Sequence, residues 1–326
     1  MKAALHDVFG EPAEVLVTRD VAKPAPVKGE VLVRMTLSPI HNHDLWTIRG
    51  SYGYKPPLPA AIGGSEALGT VDAVGEGVDA ALVGKRVAVG GLHGAWAEYF
   101  VVPAAGVLPL PDAISDVAGA QLIAMPFSAL SLLETLKARK GDWIIQTAAN
   151  GAVGKIMVTL AKARGINVLN LVRRAEAVEE LTALGVENVL STADAGWKAA
   201  ARSLIGEGGA VSAIDSVGGE IAGHLIDLLG QDGELVVFGT ATGAVMPLAS
   251  GPLIMKHITI KGFWGSRVSR DMAPEQRVRL ITELVTLAAT GKLALTDGGI
   301  YPLAQITGAV TAALTPGRAG KVMLRG

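Results

Sequence analysis

Cysteine is absent from the 326-residue chain. That excludes disulfides, thiolate nucleophiles and every zinc site built on cysteine. Charge is sparse as well. Only 18% of residues are Asp, Glu, Lys or Arg, below the usual ~25%, and the net charge is −1. A dedicated nucleic-acid binder carries a basic domain, so no nucleic acid is expected as a partner. Aromatics, at 4%, are too few to build a stacking platform for single strands. Mean hydropathy is +0.40, yet no apolar run reaches the ~20 residues that cross a bilayer. The opening Met1-Lys2-Ala3-Ala4-Leu5-His6-Asp7 has one basic side chain and no apolar core of signal-peptide length. A soluble, cytoplasmic protein with no membrane partner is the expectation.

What is abundant is hydrophobic residues, half the chain, spread among 41 Gly and 16 Pro. At roughly 150 residues per domain, the length predicts two domains. The first third reads as β-rich, with strands over Glu30–Met35, Gly69–Val74, Lys85–Val89 and Ala97–Val102, and a long Pro- and Gly-rich loop from Gly50 to Gly64. Such a loop is usually functional or disordered. Helical spacing runs from Ala118 to Ala138. Short apolar runs at Trp143–Thr147, Asn167–Val172, Val189–Leu190, Val211–Ile214 and Glu234–Phe238 then alternate with helical patterns at Ala152–Arg164 and Ala175–Leu184. This βαβ rhythm predicts a doubly wound parallel sheet. After Gly262 a helix over Pro274–Thr290 and strands near Ile300 and Lys321–Leu324 return the tail to the first domain. The expected domains are 1–118 with 266–326, and an inserted dinucleotide-binding domain at 119–265.

The first strand of the inserted part runs into Ala148-Ala149-Asn150-Gly151-Ala152-Val153-Gly154. Against G-x-G-x-x-G, Ala149 replaces the first glycine, while Gly151 and Gly154 hold the second and third places. No Cβ at Gly151 lets a pyrophosphate approach the amides of a helix N-terminus, and Gly154 lets the helix pack close to the strand. Asn150, Gly151, Ala152, Val153 and Gly154 form the expected cofactor turn; a strand-to-helix turn without a ligand is the alternative. About 20 residues beyond Gly154, an NAD enzyme places an acidic residue for the ribose. Here stand Arg173 and Arg174. Two guanidinium groups suit a 2′-phosphate, so NADPH is the expected cofactor. A solvated basic turn is the alternative.

The two-domain layout, the inserted dinucleotide fold and the Gly-rich turn resemble the medium-chain dehydrogenase/reductase superfamily along essentially the whole chain. The resemblance implies an α/β fold, a Rossmann doubly wound parallel-sheet domain inserted into a GroES-like β-rich catalytic domain, with the active site in the cleft between them. Zinc alcohol dehydrogenases of that superfamily carry a Cys near the segment His41-Asn42-His43-Asp44 and a His before Glu66. Here those places hold His41 and Ser65, and the Cys-rich zinc lobe is missing. His41, His43 and Glu66 are chemically able to bind zinc. A catalytic zinc wants three protein ligands and an open position, and no clear third ligand stands at familiar spacing, so no metal is expected.

Within the superfamily, three segments resemble the 2-enoyl thioester reductases: Ser38–Asp44 with Arg49-Gly50-Ser51-Tyr52-Gly53, Gln146–Asn150 with Val172-Arg173-Arg174, and Gly262-Phe263-Trp264. The resemblance implies that Tyr52 is the catalytic tyrosine and that Phe263 and Trp264 line the substrate pocket. His41 stands where the family has Asn, beside the nicotinamide, and the segment His41–Asp44 departs from the family's Asn-Pro-Ser-Asp. The implied activity is NADPH-dependent hydride transfer to the activated C=C bond of a 2-enoyl thioester. Tyr52 then donates to the oxygen where enolate charge develops, or delivers the α-proton. A phenol ordinarily titrates near 10 and so holds its proton at neutral pH. Tyr54 is the rival donor. The alternatives are an NADPH:quinone or enone oxidoreductase, a zinc alcohol dehydrogenase, and a non-catalytic NADPH-binding protein. A homodimer is expected, with Glu234–Phe238 and Ile258-Thr259-Ile260 extending a sheet across a two-fold axis.

Overall fold

Beyond Gly141 the glycine-bounded apolar runs assemble into one six-stranded parallel sheet. The computed structural model describes residues 1–315, 318 and 320–326. The strands are β1 (Trp143–Gln146), β2 (Asn167–Val172), β3 (Val189–Ser191), β4 (Ala210–Asp215), β5 (Leu229–Val237) and β6 (Thr259–Gly262). Their spatial order is β3-β2-β1-β4-β5-β6, every neighbouring pair parallel. This is the Rossmann order, and the direction of winding reverses between β1 and β4. A parallel sheet needs both faces covered, which is why β2 is buried at every position after Asn167. Helix Ala152–Ala163 supplies Ile156, Met157, Leu160 and Ala161 at helical spacing. Ile145, Leu169, Leu171, Ala213, Leu225 and Leu235 belong to a core cluster that also holds Trp197 and Ile205.

The chain divides into two compact units, Phe127–Leu280, which holds this sheet, and Met1–Pro126 with Ile281–Gly326. The second is β-rich. Its larger sheet runs Asp297–Pro302, Lys321–Arg325, Glu30–Pro39, Glu66–Val74, Arg86–Gly90 and Val107–Pro109, and Tyr99–Pro103 also pairs with Glu30–Pro39. Lys321–Arg325 lies antiparallel to Glu30–Pro39, so the C-terminal strand is part of this β-rich sheet. A three-stranded sheet joins Val17–Asp20, Lys2–His6 and Ala61–Ile62. Val31, Val33, Val71, Val87, Trp96 and Val322 are among the residues of this unit's core. Among the described residues no helix is long and apolar enough to cross a membrane.

The helical pattern from Ala118 to Ala138 is interrupted. Helices occupy Asp116–Gly119 and Ala124–Thr135 only. The Glu66 carboxylate takes the amides of Ile123 and Ala124 at 2.6 and 2.7 Å, donors that an unbroken helix would spend on its own carbonyls. Pro126 has no amide to offer. The stretch between Ile40 and Gly50 contains a helix, Asn42–Arg49, closed by Gly50 at φ 74°. The compact units break after Pro126 and after Leu280, beyond the compositional turning points at 118/119 and 265/266. The reason is local packing: the Arg277 guanidinium lies 5.7 Å over the Phe127 ring, and Arg279 is bonded to Glu134.

Leu169 has no exposed surface. Leu169→Ala is expected to cost about 3 kcal/mol, partly through the cavity it leaves. Urea denaturation of the full chain measures it; a loss below about 1 kcal/mol would place Leu169 outside a well-packed core.

Candidate active site

The end of β1 and the start of the next helix build a receptor for an anion. Ala148 takes the left-handed backbone at φ 50°, one place before Ala149, and the Gly151 amide donates back to its carbonyl at 2.8 Å. Helix Ala152–Ala163 begins there, with Gly151 as N-cap and no side chain capping it. Its first amides point outward at the positive end of the helix dipole. A Cβ on Gly154 would lie 2.5 Å from the Ala149 carbonyl oxygen, so the close approach of helix to strand requires glycine. From below, the Gln146 side-chain amide donates to the Gly154 carbonyl at 3.0 Å and to Asn170 Oδ1 at 2.7 Å. Two buried polar side chains thus hold the turn.

Arg173 and Arg174 follow β2, the neighbour of β1. Both are exposed. The Ser191 hydroxyl donates to the Arg173 carbonyl at 3.1 Å, and Arg174 lies 3.7 Å from Glu180 at the surface. Both guanidinium groups stand at the surface, that of Arg174 in an exposed ion pair that a phosphate would compete for. An uncapped helix N-terminus, a glycine cradle and two arginines at the next strand end fit a dinucleotide carrying an extra phosphate.

In the β-rich unit, strand Glu30–Pro39 delivers Ile40 and His41 to the start of helix Asn42–Arg49. His41 has no exposed surface. Its Nε2 lies 2.7 Å from Glu66 Oε2, and its Nδ1 meets no protein partner. Burial pushes the Glu66 carboxyl up to about 8 and the His41 imidazole well below its ordinary value. Burial thus favours the neutral form of both partners. Asp44 accepts the His41 backbone amide at 2.9 Å. Burial also lowers the ammonium of Lys321, which Asp44 and Glu66 pull the other way. His41, expected beside the nicotinamide and in the substrate pocket, is buried with its Nε2 engaged by Glu66.

His43 stacks on His41 at 5.0 Å, and its Nε2 lies 2.7 Å from the Ser65 hydroxyl. Tyr52 leans on His43 and Trp46, at 5.8 and 6.5 Å between ring centres. Tyr52 is half-buried in the loop after Gly50. The rival Tyr54 is stacked face to face on His93 at 3.7 Å. Among the described residues no group of three or more His, Cys, Asp or Glu side chains could hold a metal ion. Phe263 and Trp264, in the Rossmann unit, line a cavity of about 710 Å³ with Ser131, Thr135, Val268 and Met272. Phe263 is buried against Phe238, and Trp264 is 53% exposed.

Comparison with known proteins adds a second line. Residues 27–112 match the alcohol dehydrogenase GroES-like domain, and residues 152–283 match the zinc-binding dehydrogenase family. The mitochondrial enoyl-[acyl-carrier-protein] reductase of Bos taurus is 30% identical over 332 residues, covering 99% of this chain and 88% of that protein. That of Arabidopsis thaliana is 32% identical over 90% of this chain and 79% of its own. The chain belongs to the medium-chain dehydrogenase/reductase superfamily. It is an oxidoreductase, with the Rossmann and GroES-like domains of that superfamily. A mycobacterial protein solved in complex with NADPH superposes with a TM-score of 0.86 at 28% identity, covering 100% of both chains. A quinone oxidoreductase of Pseudomonas syringae gives 0.86 at 26%, covering 100% of this chain and 99% of its own.

Sequence reasoning grouped His41, His43 and Glu66 by their capacity to bind zinc, but found neither the direct bond between His41 and Glu66 nor Lys321 beside it, because the partners come from separate strands. It also passed over Thr147 and Asp215, described below. A further signal for Glu66 was an acidic residue at the head of strand Glu66–Val74.

The Glu66–His41 pair has a pH signature. A carboxyl whose folded value is about 8 binds its proton in the native state where the unfolded chain has lost it. Stability from this group is therefore present at low pH and is lost as pH rises towards 8. The His41 contribution, of opposite sign, is complete by about pH 7.5, one unit above the ordinary imidazole value, and is common to wild type and Glu66→Gln. Between pH 6.5 and 8.5 the wild-type melting temperature should therefore fall relative to that of Glu66→Gln, whose amide mimics the protonated acid. Parallel melting curves for the two proteins would remove the buried proton from Glu66.

Proposed function

We propose that the chain is an NADPH-dependent reductase that transfers hydride to the activated C=C bond of a 2-enoyl thioester. Agreement with enoyl-[acyl-carrier-protein] reductases along 88% of the bovine protein carries the choice of acceptor. The arginine pair at the end of β2, where an NAD enzyme keeps an acid, supports the cofactor.

NADPH, when bound, supplies the hydride that reaches the β-carbon of the acceptor. The chain supplies the rest. The amides of Ala152, Val153 and Gly154 receive the pyrophosphate at the positive end of their helix, with Asn150 and Gly151 shaping the approach. Arg173 and Arg174 hold the 2′-phosphate. Tyr52 donates its phenolic hydrogen bond to the thioester oxygen as enolate charge grows there, its proton goes to the α-carbon as that charge returns, and solvent reprotonates the phenolate. His43 and Trp46 flank the phenol and limit its swing. Phe263 and Trp264 give the acyl chain an apolar wall.

A quinone oxidoreductase is the second reading, favoured by the whole-length match to the Pseudomonas syringae protein. The reading further takes the enzyme to be cytoplasmic and homodimeric, with β6 as the dimer edge. Among the described residues β6 pairs only with β5, and Ile260 on it is 36% exposed. Such an edge invites a second strand. Light scattering at micromolar protein should give twice the chain mass; the monomer mass would reject the dimer.

NADPH oxidation with crotonyl-CoA, run beside NADH and beside a benzoquinone, separates the two acceptors. Fast, NADPH-specific turnover of the thioester is expected; turnover of the quinone alone would give the second reading. Tyr52→Phe should lower thioester turnover by ~10²-fold with NADPH affinity kept. Near-normal turnover in that variant would remove Tyr52 from the mechanism. Arg173→Ala with Arg174→Ala should raise KM for NADPH and leave KM for NADH unchanged, because NADH has no 2′-phosphate to lose.

A further inference from the structure

The strand ends at the winding reversal hold a buried carboxylate that the proposed chemistry does not use. Asp215 closes β4 and has no exposed surface. Its Oδ1 accepts the Thr147 hydroxyl at 3.0 Å, the Val217 amide at 2.9 Å and the Gly218 amide at 3.2 Å, and its Oδ2 lies 3.2 Å from the same Gly218 amide. Thr147 immediately follows β1, and its hydroxyl in turn accepts the Ser216 amide at 2.8 Å. The Thr147–Asp215 bond therefore ties β1 to β4, the two strands between which the winding reverses.

The loop held this way is bent to an unusual shape. Gly218 and Gly219 both take left-handed backbone, at φ 76° and 74°, a conformation that glycine adopts without steric cost. The loop also docks on the one after β5. The Val217 carbonyl accepts both the Thr242 amide at 3.0 Å and its hydroxyl at 2.9 Å, and the Ser216 carbonyl accepts the Ala241 amide at 3.2 Å. One carboxylate thus fixes the ends of β1 and β4 and, through the bent loop, that of β5.

A dinucleotide lies across this point with one mononucleotide on each half of the sheet. Arg173 and Arg174 mark the β2 side for the adenosine and its phosphate. The opposite half, over β4 and β5, is left for the nicotinamide ribotide. We propose that Asp215, acting with Thr147, is the positioning pair for the nicotinamide half of the cofactor site. The proposal rests on the NADPH reading above.

The test is binding, without turnover. Asp215→Asn retains the size but sets an amide N–H against the Gly218 amide; Thr147→Val retains the shape and deletes the hydroxyl. Each full-length variant is titrated calorimetrically with NADPH and with adenosine 2′,5′-bisphosphate, which carries only the adenosine end. The expected result is NADPH binding weakened by about 10-fold, bisphosphate binding within about twofold of wild type, and a smaller change in nicotinamide fluorescence on binding. Should Asp215→Asn fail to fold, Thr147→Val carries the test alone. Equal weakening of both ligands would make the pair a structural brace and overturn the proposal, as would unchanged NADPH affinity. Wild-type protein that binds neither ligand would overturn the NADPH reading itself, and the proposal with it.

Discussion

Where a parallel strand ends, its last amides and carbonyls lose their ladder partners, and the functional half of the Rossmann unit is shaped by that loss. Buried backbone groups need partners. After β1 they are met by a helix start with no side-chain cap and by the Gln146–Asn170 pair beneath it. After β4 they are met by Asp215. The two solutions differ in chemistry. The first leaves amides directed outward, available to an anion. The second consumes its amides internally and leaves shape, a bent glycine pair locked to the neighbouring loop. A site for a long, two-ended ligand needs both, an attractive end and a rigid one.

The β-rich unit is organised around the opposite problem, charge without water. Glu66, His41 and Asp44 are buried, with Lys321 beside them. Isolated charges there would be costly. The cluster answers by neutralising the Glu66–His41 pair and by spending the other Glu66 oxygen on the amides of Ile123 and Ala124. That second use also breaks the helix between Gly119 and Ala124. One side chain therefore sets both the protonation of the His41 environment and the path of the chain as it leaves the unit.

How much of this was legible in the sequence follows from distance along the chain. The glycines at 151 and 154 and the arginines at 173 and 174 could be read because the strand, turn, helix and strand that give them meaning are consecutive. The six-stranded parallel order followed from the same local rhythm. Tyr52 was read by resemblance rather than from spacing, and the structure sets it beside His43 while its rival Tyr54 stacks on His93. The remainder depended on partners far apart: Glu66 and His41 are 25 positions apart, Thr147 and Asp215 are 68, and the helix break at Ile123 is caused 57 positions away. Periodicity within a window of a dozen residues carries no trace of such contacts.

Trp264 has a consequence of a different kind. It is the N-cap of helix Gly265–Asp271, more than half exposed at the rim of the cavity, next to the buried Phe263. Its indole is open to water at that rim. An occupant of that cavity exchanges water for hydrocarbon at the ring, which alters the light the ring emits. Trp264 thus gives the chain an optical gauge of whether the cavity is filled, read against the emission of its four other tryptophans.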